Sequence, residues 1–173
     1  MTKLVVAKFG GSAIGIDGIS IPIIIDRIND LKRDSKVIAV FSAPLTIQNG
    51  KKCSLTDVIL EQGRNVENGT KASLDAVKSC YQKILELVNS ENKEDCQKII
   101  NVFLKKAENA LDEALGKKEF AEEVRSRSLA FSGEILMSHV MNYILRSNGV
   151  KTDAVSYDDW PIITDHNIES TNF

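Results

Sequence analysis

Residues 1–42 contain the pattern that most constrains the fold of this chain. A short apolar run over residues 3–8 stops at the pair Gly10-Gly11, and a second apolar run over residues 36–42 closes at Ser42. Both runs are rich in β-branched residues and are typical of buried strands. Between them, a glycine- and serine-rich stretch leads to Pro22, which suits the first turn of a helix. A strand, a glycine loop, a helix and a strand form a βαβ unit, which implies parallel strands and a right-handed crossover.

The rest of the chain is mostly helical in its periodicity. Residues 45–56 are predicted to form a polar, basic loop, followed by a helix from Ser54 or Leu55. Over residues 71–115 apolar side chains recur at helical spacing on both sides of a polar break at 89–95, which predicts two long antiparallel helices. A third helix is predicted over 120–147, ending before the C′ glycine Gly149, and a third strand over 150–156. We therefore predict an α/β fold, an open and mainly parallel sheet with flanking helices, with a helical insertion at about 58–118.

Composition narrows the class of protein. The chain has 173 residues, of which 43% are hydrophobic and 27% charged, and its formal net charge is −2. This composition is that of a soluble globular protein, and the balanced charge gives no reason to expect a nucleic acid or an anionic membrane as partner. No apolar run approaches the ~20 residues of a membrane span, and the apolar N-terminal stretch is too short for a signal peptide. We expect a cytoplasmic protein.

The cysteines and histidines do not indicate a metal or disulfide site. Cys53, Cys80 and Cys96 are odd in number and widely spaced, and the two histidines stand apart from them. A disulfide framework or a zinc centre is therefore not expected.

The first candidate site is the segment Lys8-Phe9-Gly10-Gly11-Ser12, at the end of the first predicted strand. Ligands of open parallel sheets bind at the carboxyl ends of the strands, and adjacent glycines let backbone N–H groups approach an anion. Lys8 adds a positive charge that suits a transferring phosphoryl group. The alternative is a tight turn with Lys8 at a strand end. Neither a Walker loop nor a Gly-x-Gly-x-x-Gly fingerprint is present.

Two further segments are candidates with structural alternatives of their own. Ser42-Ala43-Pro44, with Ser54 to Asp57 shortly after, offers small hydroxyls to a substrate, but turn formation and helix capping explain the same residues. Gly133 lies within a strong helical pattern, where a glycine costs about 1 kcal/mol relative to alanine. That cost indicates close approach of a backbone or ligand, and Glu134 beside it could bind an ammonium group. The alternative is a packing glycine followed by a solvated glutamate.

Taken in order, these segments resemble the aspartate kinases of the amino-acid kinase family. Residues 8–12 are similar to the family's Lys-Phe-Gly-Gly-Thr/Ser opening, and residues 42–44 and 55–59 to its Ser-Ala-x and Thr-Asp/Asn-Leu-Leu segments. Residues 133–138 resemble its Gly-Glu helix, and residues 162–165 its Ile/Val-Thr-Asp stretch. The resemblance covers essentially the whole chain, and the long helical insertion distinguishes it from acetylglutamate, uridylate and isopentenyl phosphate kinases, which generally lack one of that length.

The resemblance implies an activity: phosphorylation of the β-carboxylate of L-aspartate by ATP, the first step towards lysine, threonine and methionine. Mg²⁺ would be held mainly through the nucleotide phosphates, with no metal site of the protein's own. The residues implied to bind the ATP phosphates are Lys8, which is also the catalytic residue, and Gly10, Gly11 and Ser12. The residues implied to bind aspartate are Ser42, Thr56 and Glu134, the last facing its α-ammonium group.

The chain also departs from the family pattern. Phe131 stands where the family usually has serine. Leu45 and Glu169 stand where it commonly has glycine. Ser138 lies one residue further from Gly133 than the family pattern places it. The resemblance covers only the N-terminal, substrate-binding part of the kinase domain. We therefore expect the nucleotide-binding half and the ligand-sensing ACT domains to lie outside these residues, and a full-length homo-oligomer. Alternatives are another member of the family with a different carboxylate or phosphate acceptor, and a non-catalytic truncated binding module.

Overall fold

The predicted βαβ unit is present in the computed structural model, which describes residues 3–155. Its two strands are parallel and in register from Lys3 opposite Ser35 to Phe9 opposite Phe41. The helix between them buries Ile21, Ile24 and Ile28 against the core. The elements of the unit are β1 (Lys3–Phe9), α1 (Gly11–Ile14), α2 (Ile21–Lys32) and β2 (Ser35–Phe41).

The two faces of this small sheet differ because side chains alternate along a strand. One face packs on the core through Ala7 and Ala39 and through the last residue of each strand, Phe9 and Phe41. The rings of these two phenylalanines stack with their centroids 5.5 Å apart. Lys8 points to the opposite, exposed face. The carboxyl ends of β1 and β2 therefore lie side by side, with Lys8 at that edge.

The predicted loop over residues 45–56 is wrong. It contains an antiparallel hairpin of β3 (Leu45–Gln48) and β4 (Lys51–Ser54). Its turn is Asn49-Gly50, with φ angles of 51° and 73°. Positive φ at both positions is the geometry of the type I′ hairpin turn, for which Asn-Gly is a strong sequence signal. The two lysines after the turn gave the segment its loop-like polarity.

Between the hairpin and residue 155, five helices follow. A capping box starts the first of them: the Ser54 side chain accepts from the backbone N–H of Asp57, whose carboxylate accepts from the backbone N–H of Ser54. The polar break predicted at 89–95 is shorter than expected, because Asn89 caps the next helix by accepting from the N–H of Asn92. The helices are α3 (Leu55–Glu67), α4 (Asp75–Leu85), α5 (Ser90–Lys117), α6 (Glu122–Ser132) and α7 (Glu134–Ser147).

The single helix predicted over 120–147 is in fact two. Gly133, with φ −117° and ψ −105°, separates α6 from α7. The predicted end is correct, since Gly149 follows α7 with φ 74°, a conformation that glycine adopts without steric cost. The α/β class with flanking helices is confirmed, and the core is formed mainly by the inner faces of α3 to α7 against α2 and the sheet.

The strand predicted over 150–156 is not found in its described part, residues 150–155. These residues lie along β2, and together with β2 and α7 they line a cavity of about 720 Å³. Within the described residues, 150–155 form no hydrogen-bonded ladder with β2. Ser156 lies outside the described residues. Within residues 3–155, no helix is long and apolar enough to cross a membrane.

Candidate active site

The glycine turn after β1 brings a positive charge over exposed backbone. Gly10 is the N-cap of α1, and its carbonyl accepts from the N–H groups of Ala13 and Ile14 at 2.9 and 3.0 Å. The Lys8 side chain lies over this turn, and its Nζ is 3.4 Å from the point that a Cβ on Gly10 would occupy. Lys8 and the turn thus form one exposed cationic corner at the end of β1.

The end of β2 packs directly against this turn. The N–H of Ser42 donates to the carbonyl of Phe9 at 3.0 Å, which extends the pairing of the strands by one bond. One residue later, the carbonyl oxygen of Ala43 lies 2.6 Å from the position of a Cβ on Gly11. Only a residue without a side chain fits at Gly11 with the backbone in this place, so the glycine pair is required by a close approach as well as by a turn.

Glu134 reaches the same segment from the helical side. It is the first residue of α7, and its Oε1 accepts from the N–H of Ala43 at 3.5 Å. Beside it, a Cβ on Gly133 would lie 3.2 Å from the Cβ of Ala43. The same Cβ would lie still closer, 2.8 Å, to the carbonyl oxygen of Leu129, so the close approach that the cost of Gly133 predicted is with the backbone of α6 and, at a longer distance, with Ala43. The other two predicted segments thus meet the Ser42-Ala43-Pro44 segment at Ala43, to which the sequence analysis assigned no role of its own.

Three predicted hydroxyls have no hydrogen-bond partner among the described residues. Within residues 3–155, the side chains of Ser12, Ser42 and Thr56 make no hydrogen bond, whereas neighbouring Ser54 is used in the capping box. Thr56 is tied to the site through the backbone, because the N–H of Leu55 donates to the carbonyl of Pro44 at 3.1 Å. The described contacts join neither Ser12 nor Thr56 directly to Glu134. All three hydroxyls remain available to a ligand.

Two supports behind the site, one buried and one half-buried, were not predicted. The hydroxyl of Tyr81 on α4 donates to the carbonyl groups of Ser132 and Gly133, 3.1 Å from each, where α6 gives way to α7. Burial raises the pKa of Tyr81 well above its usual value, with smaller contributions from Cys80 and Glu134, so the phenol stays protonated. The helical spacing of Tyr81 predicts a core position, but spacing does not reveal the partner of its hydroxyl.

The second support is Asp17, in the loop after α1. Its carboxylate accepts from Thr46 at 2.7 Å and from Lys83 at 2.6 Å, which joins the loop to β3 and α4. Burial would raise the pKa of Asp17, but the hydrogen bonds from Lys83, Thr46 and Cys80 outweigh it, and the pKa lies below its usual value. A lone aspartate in a glycine-rich loop carries no sequence signal for such a network.

The residues at this edge fit an anionic ligand better than a bare cation. Lys8 and the N–H groups of the glycine turn present positive charge and donors, whereas residues 3–155 contain no cluster of three or more side chains that could hold a metal ion. A metal that accompanies nucleotide phosphates needs few protein ligands, because Mg²⁺ keeps waters and binds through phosphate oxygens. The site is thus compatible with a magnesium nucleotide whose metal is held by its phosphates.

A family model described as "Amino acid kinase family" matches residues 3–172, nearly the whole chain. No curated protein matches the chain. The segment Ile162-Ile163-Thr164-Asp165, which also resembles the family, falls within this match but outside the described residues.

Proposed function

Because the chain belongs to the amino acid kinase family, we propose that it provides the substrate-binding part of an aspartate kinase. The proposed reaction transfers the γ-phosphoryl group of ATP to the β-carboxylate of L-aspartate and yields 4-phospho-aspartate, for lysine, threonine and methionine synthesis. The observation that carries the proposal is the meeting of the Glu134 carboxylate and the glycine turn at Ala43. The helices α4 and α5, in the region of the long insertion, favour aspartate kinase over other members.

On the phosphate side, we assign the transferring group to the cationic corner. Lys8 offsets the charge that spreads over the phosphoryl oxygens during transfer, and its ammonium already lies over Gly10. The backbone N–H groups of Gly10 and Gly11 and the free hydroxyl of Ser12 donate to phosphate oxygens. Mg²⁺, bound with the nucleotide, neutralises further charge on the phosphates.

On the acceptor side, we assign aspartate to the space between the end of β2 and the start of α7. The Glu134 carboxylate pairs with the α-ammonium group, since a charge-assisted hydrogen bond to it is stronger than a neutral one. The hydroxyls of Ser42 and Thr56, which make no hydrogen bond within residues 3–155, supply further contacts. The long 3.5 Å bond between Glu134 and Ala43 can give way to a shorter bond with the ligand.

The chemistry requires no general base. The β-carboxylate of aspartate is ionised at neutral pH, so it can attack the γ-phosphorus directly as the bond to ADP breaks. The residues then act by holding the two reactants in line and by stabilising negative charge. This accounts for a site with one lysine, donor groups and a single carboxylate.

The test is a hydroxamate-trapping assay on the protein expressed from its complete reading frame, with ATP, Mg²⁺ and aspartate. Lys8→Ala should reduce turnover strongly with little change in aspartate binding, while Lys36→Ala, an exposed lysine on the same sheet face, should leave turnover unchanged. Glu134→Gln should raise the KM for aspartate. Its matched control is Glu122→Gln, which changes the first residue of α6 instead of α7.

The outcomes separate the candidate functions. Hydroxamate from aspartate, lost in Lys8→Ala, supports the proposal. Product only with another carboxylate or phosphate acceptor in a substrate panel would assign the chain to a different activity of the family. An unchanged turnover number in Lys8→Ala would remove that residue from its role, and absence of any phosphorylated product would favour a non-catalytic binding module.

A further inference from the structure

One buried hydroxyl lies at the helix break that presents Glu134. Tyr81 is fully buried in α4, and its hydroxyl proton is shared between the carbonyl oxygens of Ser132 and Gly133. Carbonyl groups at the end of a helix lack their usual partners and need others. The Gly133 carbonyl also accepts from Met137 at 2.8 Å, so Tyr81 supplies the additional donor at the point where the chain leaves α6.

This break determines where the Glu134 carboxylate lies. The two carbonyl groups that Tyr81 holds belong to the two residues directly before Glu134, so a shift of either one rotates the first turn of α7. On the other side, the backbone at Gly133 packs against Ala43, and Glu134 itself accepts from the Ala43 N–H. The backbone that leads into Glu134 is therefore held between Ala43 in front and Tyr81 behind, while the carboxylate itself is exposed.

The phenol suits this task chemically. It donates one proton into an apolar region and carries no charge, so it adds no electrostatic competition beside a carboxylate. Its burial also keeps it protonated at any physiological pH. Phenylalanine would fill the same volume but leave a carbonyl group without its donor, so the exchange removes the hydrogen bond while the packing stays.

We propose that Tyr81 is a positioning residue, which holds the α6–α7 break so that Glu134 meets the ammonium group of the substrate. It lies in α4, so it ties the helical insertion to amino-acid recognition. The proposal rests on the function proposed above. It also assigns a selectivity: Tyr81 matters for ligands with an ammonium group beside the carboxylates, and not for the nucleotide.

The experiment measures the affinity of the full-reading-frame protein for L-aspartate and for succinate, which lacks the ammonium group. Tyr81→Phe should weaken aspartate binding about three- to tenfold, the range that one hydrogen bond is worth. Succinate and MgATP binding should not change. The control is Tyr143→Phe, the same exchange at a half-buried tyrosine of α7, which should alter none of the three.

A double-mutant cycle distinguishes positioning from a general structural role. If Tyr81 acts through Glu134, then Tyr81→Phe will cause no further loss of aspartate affinity in a Glu134→Gln background. The positioning role would be overturned if Tyr81→Phe lowered aspartate affinity equally in both backgrounds, or if it lowered succinate affinity as much as aspartate affinity. The proposed function would still stand in either case, provided that the wild type binds aspartate. If the wild type binds MgATP but shows no preference for aspartate over succinate, the proposed substrate is wrong and the role of Tyr81 falls with it.

Discussion

Replacing Gly11 by alanine tests the closest backbone contact of the site. A Cβ on Gly11 would lie 2.6 Å from the carbonyl oxygen of Ala43, and ordinary contacts begin at 3.4 Å. The two backbones must therefore separate by about 0.8 Å. Forcing an extra carbon into a tightly packed place costs typically 1–3 kcal/mol. An alanine in a helical turn returns at most about 1 kcal/mol of this.

We therefore expect Gly11→Ala to lower the free energy of unfolding by about 1–2 kcal/mol. At roughly 2–4 °C per kcal/mol for a chain of this size, the melting temperature should fall by about 2–8 °C. The measurement is equilibrium unfolding in urea, followed by circular dichroism, with a thermal melt beside it. Because the shift moves Ala43 relative to Glu134, aspartate affinity should fall as well.

Two alanine variants serve as controls for the Gly11 result. Gly116, in the last turn of α5, has open space around its would-be Cβ, so Gly116→Ala should stabilise the protein by about 0.5 kcal/mol. At Gly10 the added carbon meets only the flexible end of Lys8 at 3.4 Å, so Gly10→Ala should change stability by less than about 0.5 kcal/mol. A Gly11→Ala protein as stable as wild type would refute the close approach.

The remaining predictions concern other parts of the molecule. Gly63→Ala should lower the free energy of unfolding by about 1–3 kcal/mol, because its Cβ would lie 2.2 Å from ring carbons of Phe120. The loss should be smaller in a Phe120→Ala background, and additive losses in urea unfolding would contradict the contact. The pKa of Asp17 is lower in the folded than in the unfolded state, so its stabilisation is complete above the ordinary value of 3.8 and is lost as the pH falls through the lower folded value. The deficit of Asp17→Asn should accordingly be largest near neutral pH and shrink below about pH 4; a deficit independent of pH would contradict this. Iodoacetamide should label Cys53 first, because Cys96 is buried with its pKa raised to about 12; mass spectrometry showing equal labelling would contradict the burial.

The parts of the fold that were predicted correctly are those that local patterns determine. The βαβ unit follows from two β-branched runs and the helical spacing between them, and the end of α7 follows from Gly149. The hairpin could also have been predicted from Asn49-Gly50, but the lysines beside it make the segment look like a loop. In each case the information lies within a few residues of the feature.

The convergence of the site could be predicted only in part. The cost of an interior Gly133 indicates that some group approaches it, but not that the group is Ala43 or that the helix breaks there. The hydroxyl of Tyr81 finds its acceptors more than fifty residues away, at Ser132 and Gly133; the glycine marks this place in the sequence, but nothing there indicates that a tyrosine of another helix is the partner. Such contacts depend on how the elements pack, and no local pattern contains that information.

The position of Ala43 between two glycines limits how this sequence can diverge. Its carbonyl oxygen occupies the space of a side chain at residue 11, and its methyl group nearly fills the space of one at residue 133. A larger residue at 11 would displace the backbone of Ala43, and a larger one at 133 would displace both Ala43 and the carbonyl of Leu129, which is 2.8 Å from the same point, so neither glycine can be enlarged alone. Across related chains, we therefore expect residues 11, 43 and 133 to stay small together, and a chain that enlarges one of them to have moved the start of its equivalent of α7.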